Sequence, residues 1–325
     1  MRLQSHAKIN LWLRVLGKRT DGFHEVETLM LPIGLADEIV LENHAESRIE
    51  FACDDPALPT DSRNLARRAA ELFRERCAPA RGARIRLAKR IPLGAGLGGG
   101  SSNAATVLVG LNRLWETART DGEIEKLAAE IGSDAAFFVK NRPALCAGRG
   151  ERLAPVVSPR AQPLLLAHFG FGSATAWAYH NLGAGSVGAS RRAAPKEFEI
   201  ARRAFLSGKT DPLAPDLLLN DLEKPVYRKF PILEIAKEFL LAQTGVRGAM
   251  MSGSGSTLFA LLTAPEAAEE LVRALRAHFG ENVWTWSGVT LDASADDLKR
   301  GATETLRDCL PCPPLADSGS SNARC

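Results

Sequence analysis

Five glycines fall within seven residues, at Gly94, Gly96, Gly98, Gly99 and Gly100, inside the stretch Pro92-Leu-Gly-Ala-Gly-Leu-Gly-Gly-Gly-Ser-Ser102. They strip the backbone of side chains just where an apolar segment, Asn103 to Trp115, begins. The unpaired N–H groups of a helix's first turn bind anions, so the chemistry this spacing predicts is phosphate binding. Ser101, Ser102 and Asn103 would serve as polar donors or helix N-caps. The competing reading is a plain glycine-rich turn with a Ser/Asn cap, although ordinary turns need only about one or two glycines.

Gly94, Gly96 and Gly99 also satisfy G-x-G-x-x-G, but the elements around them do not suit a dinucleotide fold. The segment before them, Ala83 to Ile91, alternates apolar with charged residues and reads as a strand wet on one face, not as a buried parallel strand. Glu116 has the offset of a ribose-binding acid but follows a helix. No Lys-Ser or Lys-Thr closes the glycines, which removes a Walker A loop. Neither His-Arg-Asp nor Asp-Phe-Gly occurs, which removes the protein-kinase glycine loop. What is left is a phosphate loop between an antiparallel-type strand and a helix.

Other elements must position that loop. From Ala7 to Val15 the chain alternates, so Ala7, Ile9, Leu11, Leu13 and Val15 share one strand face and Lys8, Asn10, Trp12 and Arg14 the other. Lys8 and Asn10 point the same way, and on residue type alone they belong to a solvated face. Gly17 to Gly22 reads as a turn into a second β-like run, Glu25 to Ile33. Asp37 to Leu41 and Arg48 to Phe51 are further strands. Leu65, Ala69, Leu72 and Phe73 form one helical stripe behind Asn64, a residue suited to an N-cap. Gly122 to Ile131 is a helix stopped by Gly132, and Ser133-Asp134 opens Ala135 to Val139, where Asp134 also suits an N-cap.

Pro155, Pro159 and Pro163 mark a domain change before the strand Leu164 to Phe169. A second Gly/Ser sequence, Met251 to Thr257, leads into the strand Leu258 to Leu262, and an amphipathic helix from Ala268 to Phe279 is closed by Gly280. Strands, helix, strand, helices is the order of an α+β protein rather than a βαβ repeat. The expected division is 1–158, 159–298 and a flexible tail over 299–325.

With 41 Lys and Arg against 38 Asp and Glu, the net charge of +3 does not call for a nucleic-acid partner, and its sign suits an anionic small molecule. No apolar run has membrane-spanning length and no apolar signal region opens the chain, so the expectation is a cytoplasmic protein without a membrane partner. Of six cysteines, Cys309 and Cys312 form a CxxC pair, but no second pair completes a zinc site, and they read as reduced thiols.

Three separated motifs, Ala7-Lys-Ile-Asn10, Pro92 to Ser102 and Ser252-Gly-Ser-Gly-Ser256, together resemble the GHMP kinase superfamily. Within it, Ala7 to Leu13, Asp21-Gly-Phe-His-Glu25, Gly94 to Ala105, Ile131-Gly-Ser-Asp134 and Asn220-Asp-Leu-Glu223 are similar to the kinases that act on cytidine-diphosphate methylerythritol. The resemblance covers residues 5 to 295. It implies an α+β two-domain GHMP kinase fold: an N-terminal domain like ribosomal protein S5 domain 2, a ferredoxin-like C-terminal domain, and ATP and substrate in the cleft between them.

The implied reaction moves the γ-phosphoryl group of ATP to the 2-hydroxyl of the methylerythritol unit. By resemblance, Asp134 is the general base, and Lys8 is its cationic partner that also offsets charge near the transferred group. Pro92, Leu93, Gly94, Ala95, Gly96, Leu97, Gly98, Gly99, Gly100, Ser101 and Ser102 wrap the triphosphate, with Asn64 near the adenine. Mg²⁺ is implied because the loop contains no lysine, and Ser102 is a candidate ligand. Asn10 orients the substrate or Asp134. Phe23 stacks on cytosine, His24 bonds its edge, Thr175 lies near the chemistry and Tyr179 is the second stacking ring.

Many members carry Tyr where this chain has Phe23; stacking survives that change, but a contact through a phenol does not. His6 stands where proline is frequent, and Phe169-Gly-Phe-Gly172 lacks the usual Pro-Gly-Val character. A homoserine- or mevalonate-type kinase would keep the fold, but Phe23-His24 and the Asn220 segment argue against it. A non-catalytic nucleotide-binding module would not need both Lys8 and Asp134.

Overall fold

The computed structural model describes residues 1–156, 161–182, 195–206 and 215–292. The expected 158/159 boundary and the expected tail over 299–325, with its CxxC pair, lie outside them.

Strand β1 (Arg2–Lys18) runs antiparallel to β2 (His24–His44) along almost its whole length. The two strand segments expected at Glu25 to Ile33 and Asp37 to Leu41 are therefore one, carried through Gly34. After β3 (Ile49–Cys53) come α1 (Leu65–Cys77), β4 (Gly82–Ala88), α2 (Gly99–Leu114), α3 (Asp121–Ile131), α4 (Ala135–Lys140), β5 (Ala144–Gly148) and β6 (Arg152–Pro155). Apolar faces of α1, α2 and α3 close over Ile39, Leu41, Phe51 and Ile85 of the sheet. Asn64 caps α1 by accepting from the Ala66 amide, and Thr120 with Glu123 forms a capping box on α3.

The second half supplies β7 (Pro163–His168), α5 (Thr175–His180), α6 (Lys196–Leu206), a 3₁₀ turn at Pro215–Leu217, β8 (Leu219–Asn220), α7 (Glu223–Lys229) and α8 (Pro231–Leu241). It ends with β9 (Val246–Met251), β10 (Leu258–Leu262), α9 (Ala267–Phe279) and β11 (Trp284–Val289). Its antiparallel sheet has the order β11-β7-β10-β9, the ferredoxin-like arrangement. The first sheet runs β3-β4-β2-β1-β8, with β5 and β6 attached through β2. Short β8 pairs parallel with β1 at Trp12 and Leu13, so the second half completes an edge of the first sheet.

Two expectations change. The Lys8 face of β1 is not wet: Lys8 is 3 % exposed, Asn10 and Trp12 0 %, and Arg14 7 %. Trp12 is covered by α6, edge-on to Phe198 and Phe205, and Arg14 pairs with Glu199 of the same helix. Period-two alternation reports which side chains share a face, but what covers that face is decided by segments far along the chain. Helix α2 starts at Gly99 rather than Asn103, and its N-cap is Gly98 in a left-handed conformation, not a Ser or Asn side chain. Its first turn is the glycine run itself.

Candidate active site

Lys8 and Asn10 leave β1 on one side, flanked by register shifts between His6 and Lys8 and between Asn10 and Trp12. Such bulges re-aim side chains and are frequent beside active sites. Lys8 Nζ donates to Asn10 Oδ1 at 2.5 Å and to the Gly96 carbonyl at 3.0 Å, and lies 3.7 Å from Asp134 Oδ2. The last distance is a charge contact rather than a hydrogen bond. Burial pushes the Lys8 ammonium below the ordinary lysine pKa, and Asp134 pulls it part of the way back. Asn10 passes the order on, donating to Thr28 Oγ1 at 2.8 Å, whose hydroxyl donates to the Trp12 carbonyl at 2.6 Å.

Asp134 occupies the N-cap position of α4, yet its side chain makes no capping bond. The carboxylate instead faces Lys8 and remains 32 % exposed, open to a substrate. The side chain therefore does not serve as a cap and lines the cleft instead.

The glycine loop folds against the second Gly/Ser turn. Gly96 has φ +75°, and a Cβ there would fall 2.1 Å from the Ser252 carbonyl oxygen. A Cβ on Gly98, at φ +71°, would meet Phe138 at 2.8 Å. Both the conformation and the space require glycine. Ser252 Oγ donates to the Gly96 carbonyl at 3.0 Å, and the Thr257 amide to the Ala95 carbonyl at 3.2 Å. Asn220 braces the turn from below, donating to the carbonyls of Met251 and Gly253, each at 2.8 Å. Asn220 was singled out only as part of a motif; its bracing role is invisible without the contact to residues 251–253.

Both walls line one cleft of about 920 Å³, which takes in Pro92 to Ser101, Asn64, Lys8, Asn10, Asp134, Thr175, Tyr179, Phe23 and His24. Ser102 is the exception: its hydroxyl is 2.8 Å from Ser5 Oγ and the residue is 1 % exposed, so it faces the interior, not the cleft. As the fourth residue of α2 it turns onto β1, whereas Ser101 stays on the cleft side. Asn64 reaches the cleft wall, but both ends of its amide are engaged, with the Ala66 amide and the Pro59 carbonyl.

At the far end of the cleft, His24 and Tyr179 stack with centroids 5.1 Å apart and planes 29° apart. Phe23 is 48 % exposed beneath the Arg149 guanidinium, which sits 4.7 Å from the ring centroid. Arg149 escaped sequence reasoning because nothing in Gly148-Arg-Gly150 marks which way its side chain turns. Burial, with Lys18 adding, lowers the His24 pKa, and burial raises that of the Tyr179 phenol. Thr175 Oγ1 lies 2.9 Å from Ser254 Oγ, tying α5 to the second turn.

The family descriptions "GHMP kinases N terminal domain" and "GHMP kinases C terminal" match residues 64–142 and 201–281. The chain is 42 % identical over 288 residues to a 4-diphosphocytidyl-2-C-methyl-D-erythritol kinase of Synechococcus sp. (strain JA-3-3Ab), covering 86 % of this chain and 90 % of that one. It is 40 % identical to the kinase of the same name from Methylacidiphilum infernorum (isolate V4), over 86 % of this chain and 92 % of the relative. A crystal structure of 4-(cytidine 5'-diphospho)-2C-methyl-D-erythritol kinase superposes with TM-score 0.72 at 36 % identity, covering 90 % of this chain and all of that one. A homoserine kinase from Cytophaga hutchinsonii, at 20 % identity and TM-score 0.65 over 88 % of this chain and 95 % of its own, shares the fold. At such identity and coverage the likeness extends well past the motifs: the chain belongs to the GHMP kinases, in their 4-diphosphocytidyl-2-C-methyl-D-erythritol kinase family.

Proposed function

We propose that the cleft transfers the γ-phosphoryl group of ATP to the 2-hydroxyl of 4-diphosphocytidyl-2-C-methyl-D-erythritol, in the non-mevalonate route to isoprenoid precursors. The observation that carries the reading is the facing of Lys8 Nζ and Asp134 Oδ2 at 3.7 Å beside the glycine loop. Asp134, open to the cleft, takes the proton of the attacking hydroxyl. The hydroxyl oxygen forms the new bond to phosphorus as the bond to ADP breaks. Lys8, itself held by Asn10 and the Gly96 carbonyl, orients Asp134 and places positive charge where the transferred group becomes most anionic. Exposed amides of the glycine loop and the start of α2 face the phosphates, with Ser101 as a hydroxyl donor.

The residues fit Mg²⁺ in the limited way a nucleotide requires. No cluster of three or more His, Cys, Asp or Glu suited to a metal occurs among the described residues, but a nucleotide-bound Mg²⁺ needs only about one or two protein oxygens. Ser101, on the cleft side, offers one; Ser102, turned onto Ser5, does not. When bound, the ion neutralises phosphate charge.

At the other end, Phe23, His24 and Tyr179 give two rings for stacking and one imidazole for the cytosine edge. The 158/159 division belongs to the same proposal, and the matched family segments lie on either side of it. So does a cytoplasmic location, where thiols such as Cys53, Cys77 and Cys146 stay reduced. The deciding experiment is ATP consumption by the purified chain with cytidine-diphosphate methylerythritol, homoserine and mevalonate in parallel. Turnover of the first alone is expected; turnover only of another acceptor, or of none, overturns the assignment.

A further inference from the structure

The middle of the glycine loop is held by Lys8 and the second Gly/Ser turn, and its ends converge on one buried carboxylate. Asp37 is 0 % exposed and lies on β2 opposite Ser5 of β1. Its other neighbour, β4, stops pairing at Ala88, which sits opposite Glu38. Beyond that point the backbone ladder is replaced by the Asp37 side chain. Oδ1 accepts from the amides of Arg90 at 2.7 Å and Ile91 at 2.9 Å. Oδ2 accepts from Lys89 Nζ at 2.5 Å and from Asn103 Nδ2 at 2.8 Å. Asn103 also donates to Ser5 Oγ at 2.9 Å, and Ser5 meets Ser102 at 2.8 Å.

One carboxylate thus binds the chain just before the loop, at 89–91, and just after it, in the second turn of α2. The segment before the loop also packs directly on the glycine run, since a Cβ on Gly99 would meet Ile91 Cγ2 at 3.0 Å. A buried charge is costly unless its partners are complete, and here four donors complete it. Between these ends Ala95 and Gly96 are held by their carbonyls, but the glycines on either side have conformational freedom to lose when phosphate binds. Fixing both ends from one point removes much of that freedom before the nucleotide arrives.

We propose that Asp37 is a positioning residue for nucleotide binding: it holds the entry and exit of the glycine loop in register so that the loop amides are pre-aimed at phosphate. The proposal rests on the assignment of that loop to ATP, but not on which acceptor is phosphorylated.

Calorimetric titration of the full chain with Mg²⁺ and a non-hydrolysable ATP analogue separates the two questions, because no acceptor is present. Asp37→Asn keeps the shape but turns an NH₂ group towards Lys89 or Asn103, so the analogue's Kd is expected to rise about tenfold or more, the scale of one charged hydrogen bond. A merely structural role would reduce the fraction of competent sites and leave Kd alone. A raised Kd, whatever the site number, supports the proposal; a Kd within twofold of wild type overturns it. Should Asp37→Asn not yield folded protein, Asn103→Ala, which removes one of the four donors, decides by the same criterion. Wild-type binding of the analogue without turnover of the cytidine substrate would strike at the acceptor assignment and leave this one intact.

Discussion

The two ends of the cleft are built from different materials. At the phosphate end, backbone amides and buried polar groups are fixed to one another: Gly96 against Ser252, Lys8 on Asn10, Asn220 under the second turn. At the end proposed for the nucleoside, half-buried rings line the cleft, with Phe23 nearly half exposed and Arg149 resting on it. Triphosphate recognition needs many donors held at fixed angles, which backbone under steric constraint supplies. Recognition of a base needs flat faces and a few edge contacts, which side chains supply at little structural cost. Changes to the first end should therefore damage stability or turnover, and changes to the second should alter acceptor affinity alone.

The largest effect expected is at the reacting centre. Asp134→Asn removes the proton acceptor while leaving the α4 cap position unaltered, since the native side chain does not cap. Turnover should fall by about 10²–10⁴-fold with ATP binding retained. Single-turnover rates together with nucleotide affinity check this, and a rate near wild type removes Asp134 from the role.

Gly96→Ala comes next. It places a methyl group against the Ser252 carbonyl at a φ that alanine resists, so stability should drop by about 1–3 kcal/mol and the KM for ATP should rise. Urea unfolding and steady-state kinetics measure both. A neutral result would mean that the two turns are not mutually constrained.

Tyr179→Ala should raise the KM for the cytidine substrate roughly two- to tenfold while leaving that for ATP unchanged, and Tyr179→Phe should retain most of the affinity. Equal losses for both substrates would dissolve the distinction between the two ends.

The smallest effect is set by pH. Burial depresses the His24 pKa below 6.5, so the ring stays neutral through the ordinary histidine range and keeps one donor and one acceptor for a base edge. As pH falls below 6.5 the unfolded chain binds this proton first, so stability declines with falling pH in that window and is unaffected above it. His6 and His168, also depressed by burial, act in the same direction. The KM for the cytidine substrate should therefore climb on acidification once His24 protonates, and His24→Gln should flatten that dependence even though the stability trend remains.

Much of this is legible in the sequence itself. Gly94 to Gly100 read as a phosphate loop in preference to a plain turn because ordinary turns need only about one or two glycines, and the alternation of β1 put Lys8 and Asn10 side by side. Asp134 was ambiguous between cap and base, since both roles want the same residue at the same place in the chain. Asp37 read simply as the start of a strand, because a carboxylate's worth depends on which amides reach it, and those belong to residues 90 and 91, brought there by a strand that stops pairing one step too soon. Ser102 was misjudged because helix phase depends on where the helix starts, and the apolar pattern set that start four residues late.

The two-residue strand β8 has a consequence for how this molecule can be divided. Lys8 sits on β1, but the edge of that strand is filled by Leu219 and Asn220, and Gly253 lies so close over the lysine that a Cβ there would fall 3.1 Å from its Nζ. A fragment that held the whole glycine loop but ended before residue 219 would leave Lys8 without that cover. The site therefore cannot be divided between two independent pieces: the first strand and residues 219–253 have to be present together.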